Sequence, residues 1–218
     1  MRSLAPWLWL VDFDAQGKAL DASEKRTGEL AAELNAHFAE VHIVRTDMTT
    51  LDGLRAAISL DGWAPSSEVL GSVRTAAWPR GTFDCIALHD ALVRRRLPVA
   101  DVLAELQDAH RLLKPGGWLA LTSQSPRMLG DRRARTTGIA RAVLSRLLTR
   151  ARFREIRCLF VDPATDEPFT VVPDVKAAIH AHDTLVGVSG MAMWRRRAAV
   201  EFGFQAALFP AYVLLARA

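Results

Sequence analysis

Apolar and polar positions alternate with a period near two in some stretches of the chain and near 3.6 in others, and strand-like runs take turns with helix-like ones. Trp7 to Phe13 (WLWLVDF) reads as a strand, Asp14 to Gly17 has turn chemistry, and Lys18 to Ala22 would return as a hairpin partner. Leu30, Ala31, Leu34 and Phe38 recur at helical spacing within Gly28 to Phe38, and a strand, Glu40 to Thr46, follows. A helix over about Thr50 to Ser59 leads to a strand-like piece at Val69 to Val73 and a strong strand, Phe83 to Leu88. The helix Pro98 to Leu113 is predicted to stop at the turn Lys114-Pro115-Gly116-Gly117, before a strand over Trp118 to Thr122. Beyond it the pattern predicts a helix over Gly138 to Arg150, a strand over Glu155 to Val161 and a Pro-punctuated loop. Helices near Ala177 to His182 and Met193 to Glu201 and a last strand, Ala211 to Ala216, complete the chain. Such alternation predicts an α/β sheet with helices on both faces. With no internal repeat, linker or composition break, residues 1–218 read as one domain.

Composition narrows the class. Half of the 218 residues are apolar and 24% are charged, which excludes a disordered tail or a collagen-like chain and is enough for one core without a metal or disulfide staple. The formal charge of +4 is too small to require a nucleic acid, and none is expected as partner. Arginine runs such as Arg94 to Arg96 and Arg195 to Arg197 read as solvated helix faces. Cys85 and Cys158 lie in apolar strand-like runs, so a disulfide framework or zinc site is not expected, and no metal is assigned. The apolar stretch Leu4 to Val11 is cut by Asp12 and Asp14 and lacks a signal-peptide pattern. The longest apolar run, Ala206 to Ala216, is about half of what a bilayer-spanning helix needs. No integral membrane segment is expected, and the expected location is cytoplasmic.

Two segments carry a resemblance. Gly71 to Leu92 (GSVRTAAWPRGTFDCIALHDAL) and Leu106 to Ser123 (LQDAHRLLKPGGWLALTS) resemble, in order and spacing, the class I S-adenosylmethionine-dependent methyltransferases; the ending FPAYVLLARA resembles their last strand. The resemblance implies a three-layer Rossmann-like fold, mostly parallel with an antiparallel last strand. It also implies a cofactor-binding half (1–124), a variable substrate-facing region (125–209) and a last strand (210–218). The implied activity is methyl transfer from S-adenosylmethionine to a small-molecule or glycan-like acceptor.

Mapped residue by residue, the first motif falls on Asp21 to Gly28, with Asp21, Glu24, Arg26 and Gly28 implied to face the cofactor and only the final glycine kept. Arg26 would pair with the cofactor carboxylate. A second frame, Val11 to Lys18, gives a poorer distance to Asp47. Asp47 is implied to accept from the ribose hydroxyls, with a helix N-cap as its other reading. Ser72 stands where an acid usually meets the adenine amine, and Val73 where a backbone N–H meets the ring. His89, after the strand and beside Asp90, is the candidate general base or else a strand-end cap, and Asp90 reads as the next helix's N-cap. The departures at Glu24, Arg26 and Ser72 carry a second reading, a non-catalytic methyltransferase-like protein that binds a protein partner or a second copy of itself.

Three other clusters stand out. His180-x-His182-Asp183 would share a face on a strand but diverges on the helix predicted there. Arg127, Arg132, Arg133 and Arg135 read as a solvated loop or an anion clamp. Trp194 to Arg197, beside Phe202, Phe204, Leu208 and Phe209, could touch an anionic membrane, although those apolar residues read first as core.

Overall fold

In the computed structural model, which describes residues 5–12, 14, 16–24, 28–89, 92, 97–125, 139–162 and 170–218, eight strands form one sheet. These are β1 (Lys18–Asp21), β2 (Glu40–Arg45), β3 (Ser67–Leu70), β4 (Phe83–His89), β5 (Leu113–Gln124), β6 (Arg154–Asp162), β7 (Thr170–Pro173) and β8 (Ala211–Arg217). Their order is β3-β2-β1-β4-β5-β8-β6-β7. Neighbours from β3 to β5 pair parallel, whereas β8 runs antiparallel to β5 and β6, and β7 antiparallel to β6. The order reverses between β1 and β4, so a crevice opens at the carboxyl ends of those strands.

Strand alternation sorts the core into two faces. Ile86, Leu88, Leu119 and Leu121 meet α3 (Val99–Leu112), α4 (Arg141–Arg150), α5 (Lys176–Leu185) and α6 (Gly190–Glu201) on one side. Cys85, Ala87, Trp118 and Ala120 share the other with α1 (Glu29–Asn35), and α2 (Met48–Asp61) packs Leu54 and Ile58 near Ile43. Burial pushes the Cys158 thiol up to about 11 and the Cys85 thiol higher still, so both stay protonated near neutrality.

Several expectations are corrected. Trp7 to Phe13 is not a strand: Pro6–Leu10 is a 3-10 turn that buries the adjacent pair Trp7 and Leu8 and exposes Trp9 and Leu10, a pairing incompatible with strand alternation. Lys18 to Ala22 is no hairpin partner, since β1 lies centrally and pairs parallel with both β2 and β4. The Lys-Pro-Gly-Gly run lies inside β5, where pairing jumps from Phe83↔Leu113 to Cys85↔Trp118 and Gly116 takes a φ of 81°. β3 starts two residues earlier than predicted, and the Pro-punctuated loop contains β7.

One carboxylate ties the amino ends of three strands. Asp84 accepts from the Lys18 N–H at 2.8 Å and holds the Lys114 ammonium at 2.8 and 2.9 Å. Asp84→Ala is expected to cost about 2 kcal/mol in urea unfolding, the scale of hydrogen bonds to a charged group. His42 sits edge-on to Phe83 and Trp78, and burial lowers its pKa; burial also lowers that of His110, together with Arg152 and Arg80. The unfolded chain therefore binds protons on these rings before the folded chain does, so stability falls as pH drops below about 6.5. Unfolding midpoints between pH 7.5 and 5.5 are expected to fall less steeply in His42→Gln than in the parent.

Candidate cofactor site

At the carboxyl end of β1, Asp21 is fully buried. Its Oδ1 accepts from the Ser23 N–H at 2.9 Å, and its Oδ2 lies 2.7 Å from Nη2 of Arg45, the last residue of β2. Arg45 is equally buried, and its Nη1 donates to the carbonyls of Asp21 and Val44. The two adjacent strand ends are thus bridged by an ion pair that has left water entirely. Arg45 Nε and Ser23 Oγ are buried without a hydrogen bond among the described residues.

Glu24 comes next along the β1 loop and spans the same gap. Both its carboxylate oxygens accept from the Thr46 hydroxyl, at 2.8 and 2.9 Å, just beyond the end of β2. Its side chain is partly exposed. Arg26 lies outside the described residues. Gly28 caps α1, where an added Cβ would come within 2.8 Å of Ile58 Cγ2 on α2, so its smallness serves helix packing.

Asp47 is the N-cap of α2. One oxygen accepts from the Thr50 N–H at 2.8 Å and the other from the Thr50 hydroxyl at 2.6 Å. Of the two readings open from the sequence, the structure displays the cap, two residues past the end of β2. Asp47→Ala is expected to lower stability by about 1 kcal/mol in denaturant unfolding, as other N-cap losses do.

After β3, Gly71 adopts a φ of 152°, and a Cβ there would strike Thr75 Oγ1 at 2.4 Å. The Thr75 hydroxyl accepts from the Ser72 N–H at 2.8 Å, which folds Ser72 into a tight turn. Val73 buries its side chain and directs its N–H to Glu105 Oε1 of α3, at 3.3 Å. His89 closes β4 opposite Thr122 and is 2% exposed. Asp90 lies outside the described residues, as do Arg127, Arg132, Arg133 and Arg135.

Asp21, Glu24, Ser72 and His89 therefore stand at the carboxyl ends of β1, β3 and β4, while Asp47 and Val73 spend their polar groups on protein partners. Arg45 and Glu105 are the residues that the sequence reading missed. Opposite charges closing two adjacent parallel strands were the available signal for Arg45; Glu105 gave none, being an acid on the inward face of an otherwise apolar helix stripe. Among the described residues no group of three His, Cys, Asp or Glu could hold a metal ion.

Residues 21–121 match the family model of a methyltransferase domain. The chain carries a methyltransferase domain. Solved structures agree in fold across nearly the whole chain. A SAM-dependent methyltransferase from Archaeoglobus fulgidus is 15% identical, with 99% of this chain and 92% of that one covered and a TM-score of 0.64. One from Leishmania major is 17% identical over 97% and 69%, with a TM-score of 0.60. A phosphoethanolamine N-methyltransferase from Haemonchus contortus, in complex with phosphomonomethylethanolamine and S-adenosylhomocysteine, is 13% identical over 98% of this chain but 52% of that one, with a TM-score of 0.63. A comparison with curated proteins finds no match. The matched residues begin at Asp21, the carboxyl end of β1.

Proposed function

We propose that the methyltransferase domain uses S-adenosylmethionine to methylate a small-molecule or glycan-like acceptor, with the cofactor lying over β1, β2 and β3. The observation that carries this reading is the Glu24 carboxylate at the mouth between β1 and β2. The residues suit such a ligand. Ribose hydroxyls need an acceptor, and the Glu24 carboxylate offers two oxygens, both within hydrogen-bond distance of the exposed Thr46 hydroxyl. Ser23 Oγ and Arg45 Nε are buried polar groups open to one further bond each, and the Ser72 hydroxyl can accept from the adenine amine.

Each of these groups has one job. Asp21 neutralises Arg45 and fixes the loop through the Ser23 N–H; Glu24 orients the sugar; His89 takes the proton that an acceptor hydroxyl or amine releases. When bound, S-adenosylmethionine supplies an electrophilic methyl group on a sulfonium. Arg26 is carried with this site as a partner for the cofactor carboxylate.

Isothermal titration calorimetry of the chain with S-adenosylmethionine and with S-adenosylhomocysteine tests the reading. Micromolar binding of either is expected. Silence up to millimolar ligand would overturn it in favour of a non-catalytic protein whose β1–β2 crevice is sealed by the Asp21–Arg45 pair.

A further inference from the structure

The α5–α6 hairpin turns large apolar side chains toward solvent. Of thirteen exposed large apolar residues among those described, six fall between residues 185 and 204: Leu185, Val186, Met191, Trp194, Phe202 and Phe204. Phe202 and Phe204, expected in the core, are 77% and 63% exposed, whereas Leu208 and Phe209 of the same run are buried. Scattered exposed apolar residues are ordinary, but a cluster marks a contact surface.

The helix geometry makes it one surface. At about 100° per residue, Met191, Trp194, Ala198 and Phe202 fall on one side of α6, opposite buried Val200. Leu185 and Val186, at the end of α5, and Phe204, two residues after Phe202, are exposed as well. The three consecutive arginines divide by direction. Arg196 turns inward, with Nη2 at 2.6 Å and Nε at 2.8 Å from Asp183 Oδ1 and its guanidinium over the Phe209 ring. Arg195 and Arg197 are exposed and flank the apolar strip, and neither joins an ion pair among the described residues. The only acid between Thr184 and Phe204 is Glu201, already held by Lys176 at 2.6 Å.

We propose that this face of α6 docks the protein onto an anionic membrane surface. The charge selects the occupant: a strip of Trp, Phe and Met bordered by two guanidiniums that pair with no acid among the described residues matches the boundary between acyl chains and acidic headgroups. There aromatic rings settle at headgroup depth and arginine stems lie along the apolar layer with their charges in water. No helix among the described residues is long and apolar enough to cross a membrane, so the contact is peripheral. From α6 the chain passes through the short turn Gln205–Ala207 to β8, whose first residue pairs with Gln124 and Val161 near the carboxyl ends of β5 and β6. The helix that carries the docking surface is therefore joined through one short turn to the sheet that carries the candidate cofactor site.

Vesicle flotation of the full chain tests the proposal, with phosphatidylcholine vesicles compared against vesicles that also contain phosphatidylglycerol. Binding to the anionic vesicles alone is expected, weakening as salt screens the arginines. Arg195→Glu with Arg197→Glu is expected to reduce the bound fraction at least tenfold with an unchanged unfolding midpoint, and Trp194→Ser to reduce it several-fold. Absence of binding to anionic vesicles, or equal binding by the double charge reversal, would overturn the proposal. So would reversible dimerisation of the parent chain, seen in analytical ultracentrifugation without vesicle binding and abolished by Trp194→Ser, because a second copy would then cover the face.

Discussion

Arg45→Ala is expected to destabilise the protein by about 3–5 kcal/mol, because it strands the Asp21 carboxylate without a counter-charge at a position closed to water. The loss has a specific remedy. Replacing both partners, as in Asp21→Leu with Arg45→Met, is expected to recover most of it, since a buried ion pair contributes little net stability once its desolvation is counted. What the double variant does not recover is the bond from the Ser23 N–H and those from Arg45 Nη1 to the carbonyls of Asp21 and Val44, about 1 kcal/mol each. Guanidinium unfolding of the parent, both single variants and the double variant closes the cycle. A loss below 1 kcal/mol in Arg45→Ala would mean that water reaches the pair.

Glu24→Ala is expected to weaken S-adenosylhomocysteine binding by about 10- to 100-fold, the range for losing hydrogen bonds to a charged acceptor. Its unfolding midpoint should change little, since Thr46 is exposed and can turn to water. Asp47→Ala supplies the contrast: its loss falls on stability, with affinity close to that of the parent. If calorimetry instead shows Asp47→Ala losing affinity while Glu24→Ala keeps it, the ribose contact belongs to Asp47 and the cap yields when ligand binds.

The strands that the sequence made legible are those with strong alternation or continuous apolar runs. β2, β4, β6 and β8 were expected within two residues of their ends, because each lies against both helical layers or carries a clean period of two. Trp7 to Phe13 misled for a physical reason: six apolar residues in seven resemble a buried strand by composition, and only the tertiary contacts show that Pro6 starts a tight turn. β7 stayed hidden because four residues ending in proline, at the sheet edge, produce no periodicity. The candidate site was partly legible. The sequence brought Gly28, Asp47, Ser72 and His89 together at strand and loop ends; in the structure Gly28 lies against Ile58, and Asp47 caps α2 two residues past the end of β2. The residue that does end β2 is a cation, and its complementarity with Asp21 appears only when both strands are laid side by side.

The position of β8 has a consequence for how the chain reaches its native state. Seven residues near the carboxyl terminus lie between β5 and β6 and pair with both. During synthesis β1 to β5 can assemble in order as they emerge, whereas β6 and β7 must wait beside an open strand edge until β8 arrives to join them. Long-range pairing of this kind is slow, and unpaired edges invite aggregation in the interval. A nascent chain halted before Ala211 would hold two separate strips of sheet with facing, unsatisfied borders. β8, the last of these eight strands to emerge, is therefore the one that makes a single folding unit of the two halves.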